Sequence, residues 1–127
     1  MKLLFTSLMM LSSLAAFATG FKTMTADELN AGVNKKENIQ VYDANTDAVR
    51  KKFGVISGAT KIKNSSGYEA SVLPANKNTK VVFYCYNEMC TASHNAAKRA
   101  MELGYANAYV MKDGITGWAD KKYPIER

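Results

Sequence analysis

Two cysteines five positions apart, Cys85 and Cys90, are the residues of this 127-residue chain whose type and spacing point most directly to chemistry. Cys85 follows the apolar run Lys80-Val81-Val82-Phe83-Tyr84, and Cys90 precedes a helical pattern that starts near Thr91. The intervening loop, Tyr86, Asn87, Glu88, Met89, Cys90 and Thr91, is short enough to curl backbone N–H groups toward the Cys85 sulfur. The N-terminus of the following helix adds a positive partial charge there. Both effects lower a thiol pKa and stabilise an anion bonded to, or docked beside, the sulfur. Cys85 therefore reads either as a nucleophile or as a small buried hydrophobe at a strand end. Cys90 reads as a second thiol able to resolve an oxidised Cys85, as its structural disulfide partner, or as a small residue packed at the helix start. A bridge closing so few residues constrains the unfolded chain less than a long-range one. The lone His94 has no companions for a metal site, and no glycine-rich phosphate loop occurs, so no metal or organic cofactor is expected.

The elements that must hold this loop are legible as an alternation of strands and helices. Thr25-Ala26-Asp27-Glu28 is a capping box that opens a short helix through Leu29, expected to stop near Gly32. Ile39 to Asp43 reads as a strand. Thr46 caps a second helix through Val49 to Phe53, with Gly54 as its stop. Val55 to Ala59 reads as a turn, Thr60 to Ile62 as a short strand, and Tyr68 to Leu73 as a weak helix ended by Pro74. Lys80 to Tyr84 is apolar on both faces, the mark of a central strand covered on both sides. A helix from Thr91 to Leu103 ends at Gly104, Asn107 to Met111 forms another strand, and Asp113-Gly114 turns into a last helix containing Trp118. This order is that of an α/β domain with a central, mostly parallel sheet flanked by helices. Ligands of such sheets sit beyond the carboxyl ends of the strands, where Cys85 falls.

The first residues, with Lys2, an apolar stretch from Leu3 to Leu14 and the small-residue pattern Ala16-Phe17-Ala18, read as a signal peptide over residues 1–18. The mature domain is then 19–127, periplasmic or secreted, with no membrane association once the signal is removed, in a compartment that favours oxidised thiols. Loss of Lys2 lowers the formal charge from +6 to +5, that is 16 Lys+Arg against 11 Asp+Glu. The basic residues are dispersed and not interleaved with aromatics, which argues against a nucleic-acid partner and for a solvated surface that attracts small anions. Lys98 and Arg99 are candidates for drawing anions in, or simply a solvated helix face. His94 is expected to be exposed, Trp118 to pack in the core or at its rim, and Asp43 to make a structural hydrogen bond.

Taken in order, these residues resemble a rhodanese-like domain. The likeness is carried by Val41-Tyr42-Asp43, Phe53-Gly54-Val55-Ile56-Ser57-Gly58-Ala59, Val81 to Cys85, Thr91 to Ala97, Leu103 to Val110, Asp113-Gly114-Ile115-Thr116-Gly117-Trp118 and Tyr123-Pro124-Ile125. The resemblance implies a five-stranded parallel sheet. It also implies that Cys85 takes sulfur from a donor such as thiosulfate, holds it as a persulfide, and passes it to a thiol or other nucleophile. The expected partners are thus a small sulfur-containing anion, a low-molecular-weight thiol, or a redox or sulfur-acceptor protein. Alternatives are a non-catalytic binding module locked by a Cys85–Cys90 disulfide, and a dithiol reductase using both cysteines. Three places depart from the family pattern: Cys90 stands where the loop often has Arg, Glu88 adds negative charge, and the Asp-X-Arg of the early strand reads Asp43-Ala44-Asn45. These departures weigh against thiosulfate as an efficient donor, and against related phosphatases and arsenate reductases that close a Cys loop with Arg.

Overall fold

A computed structural model describes residues 20–127, so the expected signal peptide at 1–18 lies outside the described residues. Seven strands and four helices follow in the order β1 (Lys22–Met24), α1 (Ala26–Asn34), β2 (Ile39–Asp43), α2 (Asp47–Phe53), β3 (Val55–Ile56), β4 (Thr60–Lys61), β5 (Lys80–Tyr84), α3 (Ala92–Glu102), β6 (Ala108–Met111), α4 (Gly114–Asp120) and β7 (Ile125–Glu126). Five strands form one sheet, ordered β1-β6-β5-β2-β4, with every pairing parallel. β5 is central, as its two-faced apolarity requires. Val81 and Phe83 join the cluster under α3, while Val82 and Tyr84 join the one under α1 and α4. After β2 the chain moves outward to β4, then returns to β5 on the other side, so the strand order reverses between β2 and β5. The carboxyl end of β5 therefore opens on the crevice where such sheets bind ligands.

Several elements differ from the sequence-based expectation. α1 runs past Gly32 to Asn34; Gly32 is there because a Cβ would meet Ile39 Cδ1 at 2.7 Å, a close helix-to-strand approach and not a stop. Val55–Ile56 is a strand, not a turn, because it pairs antiparallel with Ile125–Glu126 from the far end of the chain. β1 pairs parallel with β6 at the sheet edge and is too short, at three residues, to show a period. The weak helix at Tyr68 to Leu73 is only a 3-10 turn at Ala70–Val72. The surrounding connection is held instead by tyrosine hydroxyls on backbone carbonyls: Tyr42 donates to Val72 O at 2.7 Å, Tyr68 to Ala96 O at 2.7 Å, and Tyr105 to Pro74 O. Burial pushes the Tyr42 hydroxyl up to about 12 and that of Tyr68 higher still, so both remain donors.

Asp43, fully buried at the end of β2, is the polar centre of the domain. Its carboxylate accepts Arg50 Nε at 3.1 Å, the Tyr84 hydroxyl at 2.5 Å and the Asn45 N–H at 2.8 Å. Arg50 also donates to the carbonyls of Asp43 and Ile62 and to the exposed Asp47. The expected structural role of Asp43 is thus observed, with Arg50 as its counter-charge. Replacing Arg50 by Met leaves the buried carboxylate uncompensated, and breaking such a pair costs about 3–5 kcal/mol. Urea unfolding of Arg50→Met is expected to show a loss of that size, whereas Asp47→Ala, which removes only the solvated arm, leaves the midpoint nearly unchanged.

Candidate functional site

β5 delivers Cys85 to the sheet's carboxyl edge with 3% exposure. The loop's first peptides are then fastened by α4: Ile115 N–H donates to Cys85 O at 2.9 Å, and Thr116 N–H and Oγ1 donate to Tyr86 O, both at 3.2 Å. These N–H groups belong to the first turn of a helix, where no intrahelical acceptor exists for them. So close an approach needs Gly114. Its φ is +66°, and a Cβ would stand 2.5 Å from Tyr86 O and 2.6 Å from Asn87 N. The sequence marked Asp113-Gly114 only as a turn; the requirement comes from a segment almost thirty residues away, and no local signal reports it. Asp113 Oδ2 meanwhile accepts the first amide of α1, Ala26 N, at 2.6 Å.

Beyond Tyr86 the loop turns on Asn87, whose carbonyl accepts Cys90 N–H at 3.2 Å and whose Oδ1 accepts Met89 N–H at 3.0 Å. Those two amides are consequently not aimed at the Cys85 sulfur, which corrects the expectation of a cradle made by the whole loop. Asparagine commonly binds its own backbone two residues on, and here that local bond takes the amides. The turn brings Cys90 back over Cys85. Their Cα atoms are 6.0 Å apart, within disulfide reach, and the two sulfurs are joined. Cys90 is only partly buried, Thr91 is exposed, and α3 begins directly after them without a side-chain cap.

Tyr86 is 36% exposed with its ring 5.2 Å from that of Phe53, and Met89, at 88%, is the most exposed large apolar side chain described. Glu88 is exposed. With Asp113 and Asp120 it lines a hollow of about 360 Å³ beside Met89 and Thr116, so this flank of the loop is acidic. Arg99, a candidate for anion attraction, is committed elsewhere: Nε donates to Tyr68 O at 2.8 Å and the guanidinium stacks on the Tyr68 ring. Lys98 is exposed. His94 is not simply exposed; it lies partly buried against the Phe21 ring, at 5.0 Å between centroids. Trp118 packs in the core and donates to Pro124 O. Asn45, at the position of the missing Arg, is buried just past β2 and its Nδ2 has no partner among the described residues.

The sequence profile of the rhodanese-like domain family matches residues 25–121. Curated protein sequences yield no match. Similar solved structures include a protein of unknown function from Rhodopseudomonas palustris, described as a possible tyrosine phosphatase. It is 22% identical over 84% of this chain and 85% of that one, with a TM-score of 0.69. A rhodanese-related protein from Thermoplasma volcanium is 20% identical over 84% and 98%, with a TM-score of 0.66. A thiosulfate sulfurtransferase from Pseudomonas aeruginosa is 17% identical over 84% of this chain but only 20% of its own, with a TM-score of 0.68. At these identities the likeness is one of fold.

The close approach at Gly114 makes a direct expectation. In Gly114→Ala the methyl must push against the Tyr86 peptide while the backbone keeps a left-handed φ. Strain of that kind costs about 1–3 kcal/mol. Unfolding should show the loss, and the backbone amide resonances of Tyr86 and Asn87 should shift more than those of β2.

Proposed function

The chain belongs to the rhodanese-like domain family, and from that premise we propose that it is an exported, periplasmic or secreted, sulfur-transfer protein that carries sulfane sulfur on Cys85. The observation that carries this reading is the placement of Cys85 at the end of the central strand, on the crevice side, with its carbonyl tied to the first turn of α4. Cys90, joined to Cys85, stands two residues before the uncapped N-terminus of α3, an end whose partial positive charge favours a nearby anionic sulfur. The persulfide anion, being a weaker base than an ordinary thiolate, benefits in the same way.

The reaction runs in balanced steps. Reduced Cys85 attacks the outer sulfur of a polysulfide or thiosulfate; the donor S–S bond breaks, and the shortened polysulfide or sulfite leaves with the electron pair. An acceptor thiolate then attacks the terminal sulfur of the persulfide and takes it, returning Cys85 as a thiolate. Cys90 provides a second outcome. Its thiolate attacks the inner sulfur of Cys85, hydrosulfide departs, and a Cys85–Cys90 disulfide remains for an external thiol to reduce. The 6.0 Å Cα spacing favours this dithiol branch over a bystander role for Cys90. The carboxylates of Glu88, Asp113 and Asp120 favour a thiol-borne persulfide of low negative charge over a dianion such as thiosulfate.

Intact-mass measurement of the reduced mature protein after exposure to a polysulfide is expected to show a gain of one sulfur atom, absent in Cys85→Ser and longer-lived in Cys90→Ser. No gain with polysulfide or thiosulfate, together with a disulfide that persists under mild reductant, would leave a non-catalytic binding module as the reading. An unchanged lifetime in Cys90→Ser would remove the dithiol branch.

A further inference from the structure

We infer that the external thiol that reopens the disulfide attacks Cys90, not Cys85, so that Cys90 is the point at which a reducing partner is covalently engaged. This deepens the dithiol branch proposed above and rests on it. Displacement at a disulfide sulfur is in line: the attacking thiolate approaches along the S–S axis, from the side opposite the sulfur that leaves. Cys85 is 3% exposed, so its sulfur offers solvent almost no side from which a thiol could approach. Cys90 is only partly buried and follows the exposed Glu88 and Met89, so a thiol from solvent can approach it. Attack at Cys90 is therefore the more accessible of the two.

Anchoring points the same way. The Cys85 peptide is held by its strand and by Ile115 N–H, whereas Cys90 is positioned by the small turn on Asn87 and flanked by the protruding Met89. After attack, the Cys85–Cys90 bond breaks, the electron pair leaves on the Cys85 sulfur, and the incoming sulfur is joined to Cys90. Cys85 is thereby released as a thiolate, the form that accepts sulfane sulfur, before Cys90 is itself free. A second thiol, from a dithiol partner or another small molecule, then attacks the incoming sulfur and expels the Cys90 thiolate. Electrons pass from two thiols to one disulfide, with no other reductant required.

The test uses the mature chain oxidised with diamide and treated for short times with cysteamine. Acid quenching, capture of the freed thiol with N-ethylmaleimide and peptide mass mapping then locate the two labels. Cysteamine is expected on Cys90 and maleimide on Cys85, by at least tenfold at the earliest times. Cysteamine on Cys85, an even division between the two, or failure of diamide to form the Cys85–Cys90 disulfide would each overturn the inference. Persulfide formation on the reduced protein is read separately. Cysteamine on Cys90 with no sulfur uptake would retain this inference while removing sulfur transfer, and the converse result would do the opposite.

Discussion

A carboxylate removed from water must be neutralised by the protein, and the way this is done at Asp43 determines how the site is built. Arg50 brings the charge from α2, Tyr84 brings a hydroxyl from β5, and Asn45 closes a turn just beyond β2. The Tyr84 hydroxyl in turn accepts the Ile56 amide of β3, and Arg50 reaches the carbonyl of Ile62 past β4. One buried charge thus ties β2, β3, β5, α2 and the chain beyond β4. Burial, and then the neighbouring carboxylate, hold the Tyr84 hydroxyl well above its ordinary pKa, which keeps it a donor. Because Tyr84 immediately precedes Cys85, the same bonds fix where Cys85 emerges. The carboxylate-to-guanidinium contact is more than surface decoration, for neither partner's side chain is more than 9% exposed.

A second constraint acts from the opposite flank. α4 spends two N–H groups that no intrahelical carbonyl can accept on the carbonyls of Cys85 and Tyr86, which is possible only because Gly114 lacks a side chain. α4 is itself tied to α1 by Asp113 on Ala26 N. Just past α4, Lys121 and the Tyr123 hydroxyl grip Asp27, holding its carboxyl below the usual range. The base of the loop is therefore a rigid platform, while the stretch from Glu88 to Thr91 depends on one asparagine-centred turn. That division leaves Cys85 more firmly anchored than Cys90.

The sequence made the backbone of this arrangement legible where the signals are local. The capping box at Thr25 and Glu28, the two-faced apolarity of Val81 to Tyr84 and the helix following Thr91 all correspond to observed elements, and with them the position of Cys85. What was not legible depends on partners distant in the chain. Val55-Ile56 becomes a strand only when Ile125-Glu126 lies beside it, and β1 only when β6 does. Gly32 and Gly114 look like helix punctuation until Ile39 and Tyr86 are brought against them. Arg50 stands beside Lys51 and Lys52, and three basic residues in a row look like solvated surface. Its spacing of seven from Asp43 carries no helical or strand signature, since the two residues belong to different elements. Arg99 was similarly hidden, its guanidinium being used by a tyrosine about thirty residues earlier.

Electrostatics separate what the whole chain attracts from what the loop accommodates. A formal charge of +6 draws anions toward the surface, but over distances longer than the Debye length of about 8 Å at physiological ionic strength that attraction is largely screened. Within contact range the local groups decide. Beside the loop these are Glu88, Asp113 and Asp120, while Arg50 and Arg99 are occupied by backbone carbonyls and by Asp43 and Asp47. A tetrahedral oxyanion would find no guanidinium fork in the Cys85 loop. A neutral or cationic thiol meets no such penalty, and exchange between a thiol and a disulfide needs no oxyanion site, because the charge it develops resides on sulfur. Where the rhodanese resemblance would put Arg, Cys90 thus exchanges a fixed positive charge for a second sulfur within bonding reach of the first.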